Sequence, residues 1–143
     1  MIDIATGTQM GTTLTVTGLS WNPPVLSPDG ARAFVTATVA DVSNTVTTTR
    51  VAVIDIATGA QRGTTLTLIG DGHATFSANG TRSLITAYDT AGAVTRVTVV
   101  DTATGAQVGT TATLTGQGSA LLSSKDTRAL ITTYVTDAAS TTT

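Results

Sequence analysis

The chain has 143 residues, a formal net charge of -2 and 11% charged residues, which fits one ordinary domain. Hydrophobic residues make up 41% and aromatic residues only 3%, so a core must come from Val, Ile, Leu and Ala. The slightly acidic balance argues against a nucleic-acid partner, and no apolar run approaches the ~20 residues that span a bilayer, so we expect no membrane partner. Cysteine is absent, which excludes disulfides and thiolate metal sites.

The residue preferences indicate strands rather than helices. All nine acidic residues are Asp and none is Glu, whereas solvent-facing helices normally use Glu. Thr, Val and Ile are abundant, and these β-branched residues favour the pleated backbone of a strand. The sequence therefore predicts an all-β fold.

Two cassettes alternate along the chain. The first occupies residues 2–18, 54–70 and 100–116, as in IDIATGAQRGTTLTLIG, and the second occupies 25–41, 75–90 and 121–137. Copies of the first cassette lie 52 and then 46 residues apart. This spacing falls near the ~40–50 residue period of β-propeller blades, and no 3.6-residue apolar stripe indicates helical repeats.

Each cassette reads as two strands joined by a tight turn, which gives four antiparallel strands per repeat. In chain order the sequence predicts a half-blade at 2–18, a blade at 19–70, a blade at 71–116 and a half-blade at 117–143. In the second repeat the four strands are expected near 73–77, 82–88, 96–101 and 108–115. The two half-blades and two whole blades make three blades per chain, with one blade split between the chain's two ends.

Asp and Gly recur at positions that predict turns. An Asp at the start of a turn accepts hydrogen bonds from backbone amides two residues on, and Gly supplies a positive φ. This role suits the recurring Asp residues better than calcium binding, because no D-x-D-x-D-G run is present. The predicted turn residues are Asp3, Asp55, Asp101, Gly7, Gly59, Gly105, Gly30 and Gly80.

Arginine recurs at the start of the second strand, as Arg32, Arg82 and Arg128. A ring of these cations could bind an anionic ligand. The alternative is that each guanidinium pairs with an Asp or a turn carbonyl in its own blade while its stem covers apolar surface. The sequence favours the structural role.

Two residues that are not part of the repeat are candidate ligand contacts. His73 is the single histidine and leads into a predicted innermost strand, and Trp21 lies in the longer first repeat. One histidine cannot form a multi-histidine metal site, and no residue is identifiable as its partner in a catalytic triad. We therefore expect no catalytic residue, no metal and no cofactor, and the sequence leaves any small ligand unidentified.

The motifs S-P-D-G-x-R and V-x-V-I-D-x-A-T-G resemble the YVTN-type β-propeller repeats of bacterial secreted and cell-surface proteins. They are carried by Ser27-Pro28-Asp29-Gly30 with Arg32, and by Val53-Ile54-Asp55 with Thr58-Gly59. The resemblance covers essentially the whole chain. It implies a propeller scaffold and a secreted or surface location, although the N-terminus has no signal-peptide pattern. It does not imply a particular activity, because the scaffold serves many functions.

Three blades are too few to close a ring, since propellers typically have 4–8 blades. We expect chains to join head to tail, with the 117–143 half-blade of one chain completed by the 2–18 half-blade of the next. A homodimer would give six blades and a homotrimer nine, and six lies inside the usual range.

The sequence is compatible with three different functions. The sequence favours a non-enzymatic structural or binding module that forms rings by self-association. One alternative is a lactonase-like propeller enzyme with a channel-bound metal, which would need several carboxylate, amide and imidazole ligands. Another is a β-solenoid adhesin stalk in which repeats stack linearly, although solenoid coils are usually shorter than these repeats.

Overall fold

A computed structural model of the protein describes residues 1–19, 22–41, 47–123 and 127–135. Ten strands occur there, and no helix. In chain order they are β1 (Val25–Leu26), β2 (Arg32–Ala40), β3 (Thr47–Asp55), β4 (Gln61–Ile69), β5 (Asp71–Phe76), β6 (Arg82–Asp89), β7 (Val94–Asp101), β8 (Gln107–Thr115), β9 (Gln117–Leu122) and β10 (Ala129–Tyr134). The all-β prediction is confirmed.

The strands form consecutive antiparallel sheets. β1 to β4 make the first sheet, β5 to β8 the second, and β9 with β10 a two-stranded third sheet, each in simple chain order. The four strands predicted for the second repeat are present, extended by one or two residues at some ends. Neighbours in sequence pair because short turns join strands whose apolar and polar residues alternate.

Each complete sheet has a bulge in its outermost strand. Val51 pairs with Leu66 and Val53 with Arg62, so the single residue Ala52 lies opposite Gly63, Thr64 and Thr65. Gly63 has a φ of +64°, a conformation that costs little only for glycine. The same irregularity recurs between Val97 and Val99 in the second sheet. The side-chain amide of Gln61 donates to the Gly63 carbonyl at 3.4 Å and to the Thr65 hydroxyl at 3.2 Å, which holds the bulge in place.

The first repeat departs from the second in its innermost strand. Asp71 pairs with Tyr88 and Thr75 with Leu84, whereas the equivalent pairs in the first repeat are Leu19 with Thr38 and Val25 with Phe34. Two more residues separate Leu19 from Val25 than separate Asp71 from Thr75, and Pro23 and Pro24 have no amide to donate. Among its described residues the first repeat therefore has the short strand β1 and an isolated bridge where the second has the continuous strand β5.

The repeat predicts two strands within residues 2–18, and here the structure differs. Ile2 and Gln9 form an isolated antiparallel bridge, which is equivalent to the pairs Ile54 with Gln61 and Val100 with Gln107. In the complete sheets β4 and β8 pair with a full third strand, whereas here the pairing is limited to the bridge between Ile2 and Gln9. Without a strand alongside it, the segment that resembles β4 and β8 forms no ladder.

The buried core lies between the first and second sheets. Phe34 and Phe76 meet edge to face there, with ring centroids 4.7 Å apart and an interplanar angle of 66°. Aliphatic side chains from both sheets surround this pair. They are Val51, Val53, Leu68, Ala74, Ile85, Ala87 and Val100, with Leu66 packed at the margin.

Candidate functional site

In all three copies the recurring Asp accepts hydrogen bonds from the turn that follows it. The Asp55 carboxylate accepts hydrogen bonds from the Thr58 amide and hydroxyl, both at 3.0 Å. Asp101 accepts the equivalent two bonds from Thr104, also at 3.0 Å. Asp3 accepts from the amides of Ala5 and Thr6 at 2.8 and 2.9 Å, and these bonds lower the pKa of the Asp3 carboxyl. These carboxylates are thus occupied by the turn that each one begins.

Two arginines at the start of second strands are ion-paired within their own sheet. Arg32 lies 3.0 Å from Asp55, and Arg82 makes an ion pair with Asp101. Arg62 adds a second cation 2.7 Å from Asp55, and its hydrogen bond is the main reason that the pKa of Asp55 falls to about 2. A cavity of about 330 Å³ lies between the turns of the first two sheets and is lined by both Arg32 and Arg82. Their existing carboxylate partners make this cavity a poor anion site.

That His73 and Trp21 contact a ligand stays a prediction. His73 is exposed in β5, opposite Thr86. Trp21 lies outside the described residues. Within the described ranges no group of three His, Cys, Asp or Glu residues is close enough to hold a metal ion. No helix in the described part of the chain has the length and apolar character needed to cross a membrane.

Consecutive sheets meet at a repeated contact, which we call the seam. In the seam between the first two sheets, the Arg96 guanidinium donates to the Ile69 carbonyl at 3.2 Å. Arg50 makes the equivalent bond to the Thr17 carbonyl at 3.3 Å. Since Thr17 and Ile69 occupy the same position of the first cassette, residues 1–18 lie against the first sheet much as β4 lies against the second.

Glycines face each other across both seams. A Cβ placed on Gly63 would lie 2.7 Å from the Thr104 carbonyl oxygen, and one on Gly11 would lie 2.5 Å from the Thr58 carbonyl oxygen. From the other side, a Cβ on Gly59 would meet the Met10 carbonyl oxygen at 2.7 Å. The backbones approach this closely because no side chain is present at these glycines. The repeated glycines thus serve the contact between sheets as well as the turns.

An apolar groove separates residues 1–18 from the first sheet. Its volume is about 720 Å³, and we call it the N-terminal groove. One wall is formed by Met1, Leu14 and Val16, and the opposite wall by residues of β1, β2 and β3. Leu26 lines it and is 58% exposed, although its equivalent Phe76 is packed against the core. The first sheet thus presents an exposed apolar residue to the groove at a position whose equivalent is covered in the second sheet.

The last described strands, the hairpin of β9 and β10, carry a second exposed apolar surface. Its β9 strand packs against β6 and β7 of the second sheet. Leu121, Leu130 and Tyr134 remain between 64% and 72% exposed. Within the described part of the chain β10 pairs with β9 alone, so its other edge is unpaired. These residues were not predicted to form a site, although the alignment of Leu130 with the buried Phe34 and Leu84 indicates that an apolar core position recurs here.

Blades of four antiparallel strands, packed face to face and joined in simple order, are the architecture of a propeller. The chain folds as blades of a β-propeller. Its structure is similar to the β-propeller domain of the Trilobed protease from Pyrococcus furiosus, a domain with an open velcro topology. The TM-score is 0.56 at 12% sequence identity, over 82% of this chain and 35% of the other. The chain thus spans about a third of that relative's length. No protein-family model and no curated protein sequence matches the chain.

Proposed function

We propose that this protein is a non-enzymatic β-propeller module, similar to the YVTN type, whose copies associate head to tail into a closed ring. The observation that carries the proposal is the pair of exposed apolar surfaces at opposite ends of the described row of sheets. One end presents the N-terminal groove, with Leu26 exposed. The other end presents the hairpin of β9 and β10, with Leu130 and Tyr134 exposed. Association would bury both surfaces and pair an open strand edge.

A two-chain ring is the form that we expect. Each chain contributes two complete sheets and the parts of a third, so two chains supply six blades, inside the usual range of 4–8. Three chains would supply nine. Because the contact is heterologous, it closes only if the rotation per chain divides a full circle. The homodimer is therefore the first candidate and the homotrimer the second.

The turn chemistry supports a structural role over a lactonase-like one. The carboxylates of Asp55 and Asp101 each accept hydrogen bonds within a turn and form an ion pair with an arginine. Metal binding by these carboxylates would break both interactions. A propeller enzyme that uses a channel metal needs carboxylates free to coordinate it. Metal analysis of the purified protein tests this: stoichiometric calcium or zinc would contradict the non-enzymatic proposal.

Light scattering coupled to size-exclusion chromatography tests the association. We expect a mass of twice the 14.3 kDa chain at micromolar concentration, and negative-stain images should show discs with a central hole. A stable monomer of 14.3 kDa would contradict the association. Rods in the images would favour the stacked solenoid instead.

A further inference from the structure

The seam between the first two sheets shows how one blade of this chain packs on the next. Phe34 of β2 is fully buried against Phe76, which ends the innermost strand of the following sheet. Phe34 lies two residues after the repeated arginine of its second strand, and Leu130 is its equivalent. Phe76 directly precedes the repeated serine that follows the innermost strand, and Leu26 is its equivalent. Yet Leu26 is 58% exposed and Leu130 is 64% exposed. The residues equivalent to the two sides of this seam are thus both exposed, one in the first sheet and one in the last described strand.

We propose that the N-terminal groove is the seat for the β9–β10 hairpin of a second copy of this chain, with the second copy's Leu130 packed on Leu26. This inference rests on the proposed ring formation and specifies its contact surface. The hairpin cannot enter the groove of its own chain, because β9 packs against β6 and β7, beyond the second sheet. The groove lies on the other side of the first sheet, between β2 and residues 1–18.

Charge complementarity supports the same seat. In both complete sheets the arginine that opens the second strand pairs with the aspartate that ends the third, as Arg32 with Asp55 and Arg82 with Asp101. In the remaining copy of the repeat, the equivalent arginine is Arg128 and the equivalent aspartate is Asp3. No ion pair between described residues includes either of them. Seating the hairpin beside Met1–Asp3 in the register of the complete sheets would bring Arg128 to Asp3 of the neighbouring chain.

The glycine contacts provide a third, independent match. Gly11 meets Gly59 across one seam and Gly63 meets Gly105 across the next. Gly7 and Gly109 are the two glycines at these repeated positions that face no other glycine, and a Cβ on either would meet nothing within 4 Å. In the proposed seat Gly109 of one chain faces Gly7 of the next, which continues the series. An unrelated apolar peptide could fill the groove, but it would not match the charge and the glycine together.

Cysteine cross-linking tests the seat directly, because the native chain has no cysteine. We would mix Leu26→Cys and Leu130→Cys chains, allow them to exchange, and treat them with a short bismaleimide. We expect a covalent species of two chains that contains one of each variant. A chain carrying both Phe34→Cys and Phe76→Cys calibrates the reagent, since it should link within one chain. Ile69→Cys, which is 43% exposed on β4, replaces Leu26→Cys as the negative control.

The outcomes separate the seat from the self-association itself. If the chains have twice the single-chain mass but Leu26→Cys and Leu130→Cys do not cross-link while the calibrating pair does, the seat is wrong and the association stands. If Ile69→Cys links as well as Leu26→Cys, the seat is also wrong. If the chains are monomeric, both proposals fail.

Alanine substitutions at matched glycines give a second test that does not depend on a reagent. Gly7, Gly109 and Gly30 have φ values of +70°, +70° and +69°, and none has an atom within 4 Å of an added Cβ. The backbone strain of an alanine is therefore alike at all three positions. At Gly80, the equivalent of Gly30, the three atoms nearest to an added Cβ all belong to side chains, those of Pro28 at 3.3 Å, Ser27 at 3.7 Å and Asp29 at 3.9 Å. Since no backbone atom is among them, Gly30→Ala is the control.

In the proposed seat, alanine at Gly7 or Gly109 would collide with backbone, as it would at the equivalent residues Gly59 and Gly63. We expect Gly7→Ala and Gly109→Ala each to raise the dissociation constant of the dimer by ~10-fold or more. Gly30→Ala should leave it unchanged. Sedimentation velocity over a concentration series measures the three constants, and equal effects at the three positions would overturn the proposed contact.

Discussion

The close approach of the backbones at Gly63 makes alanine there a sharp test of the seam. Alanine at Gly63 must adopt a φ of +64°, and its Cβ would lie 2.7 Å from the Thr104 oxygen and 2.9 Å from the Gly105 oxygen. At Gly30 the φ is nearly the same, +69°, but a Cβ would meet nothing within 4 Å. The two substitutions therefore share the backbone strain and differ in the collision between sheets.

The expected magnitudes follow from these two contributions. A left-handed conformation costs a non-glycine residue roughly 1–2 kcal/mol, which is the whole expected effect of Gly30→Ala on the free energy of unfolding. Gly63→Ala adds an overpacked contact with rigid backbone, which typically costs about 1–3 kcal/mol more. We therefore expect Gly63→Ala to destabilise the protein by about 2–5 kcal/mol in total.

Urea unfolding followed by far-ultraviolet circular dichroism measures both variants against the native chain. All samples must have one protein concentration, because self-association contributes to the apparent stability. The difference between the two variants isolates the contact between sheets. Equal losses of stability at Gly63 and Gly30 would show that the first two sheets do not meet at this glycine, and the description of the seam would then be wrong.

Three further predictions concern the core, a buried hydroxyl and pH. Phe34→Ala should lower the free energy of unfolding by about 3–5 kcal/mol. Phe34→Leu should lower it by less than about 1.5 kcal/mol, since Leu84 fills the equivalent position in the second sheet. Similar urea midpoints for the two variants would contradict this prediction. Thr95→Val removes the hydroxyl that donates to the Gly116 carbonyl at 2.7 Å, and it should lower the free energy of unfolding by about 1–3 kcal/mol in the same assay. Thr95→Ser keeps a hydroxyl and should be near native in stability. Equal losses of stability for the two variants would contradict the role of this hydrogen bond. Because the folded-state pKa of Asp55 is about 2 and its ordinary value is 3.8, the unfolded chain binds the proton first, and the stability from this carboxylate is lost as the pH falls through that window. Asp55→Asn should therefore flatten the acid side of the curve of stability against pH, and parallel curves would disprove the assignment.

The local structure was predictable because its signals are local. The strands of the second repeat follow from alternating apolar and polar residues, and the observed bounds of β6 and β8 differ from the predicted ones by a single residue. The bulge at Gly63 was not predicted. Its signal was present in Gln61, which recurs two residues before the bulge glycine in each copy and whose amide bonds across it. A pairing irregularity of this kind becomes visible only when the partner strand is known.

The sequence by itself determined the repeat, the four strands of each complete unit and the turns between them, because backbone preferences and side-chain alternation act over a few residues. Only the tertiary structure decided which copy of a repeated position is buried. Phe34 is inaccessible to solvent while its equivalent Leu130 is 64% exposed, and Arg32 has a carboxylate partner that Arg128 lacks among the described residues. The reason is that burial and ion pairing depend on the neighbouring sheet, which differs at the two ends of a row of blades even where the residues are alike.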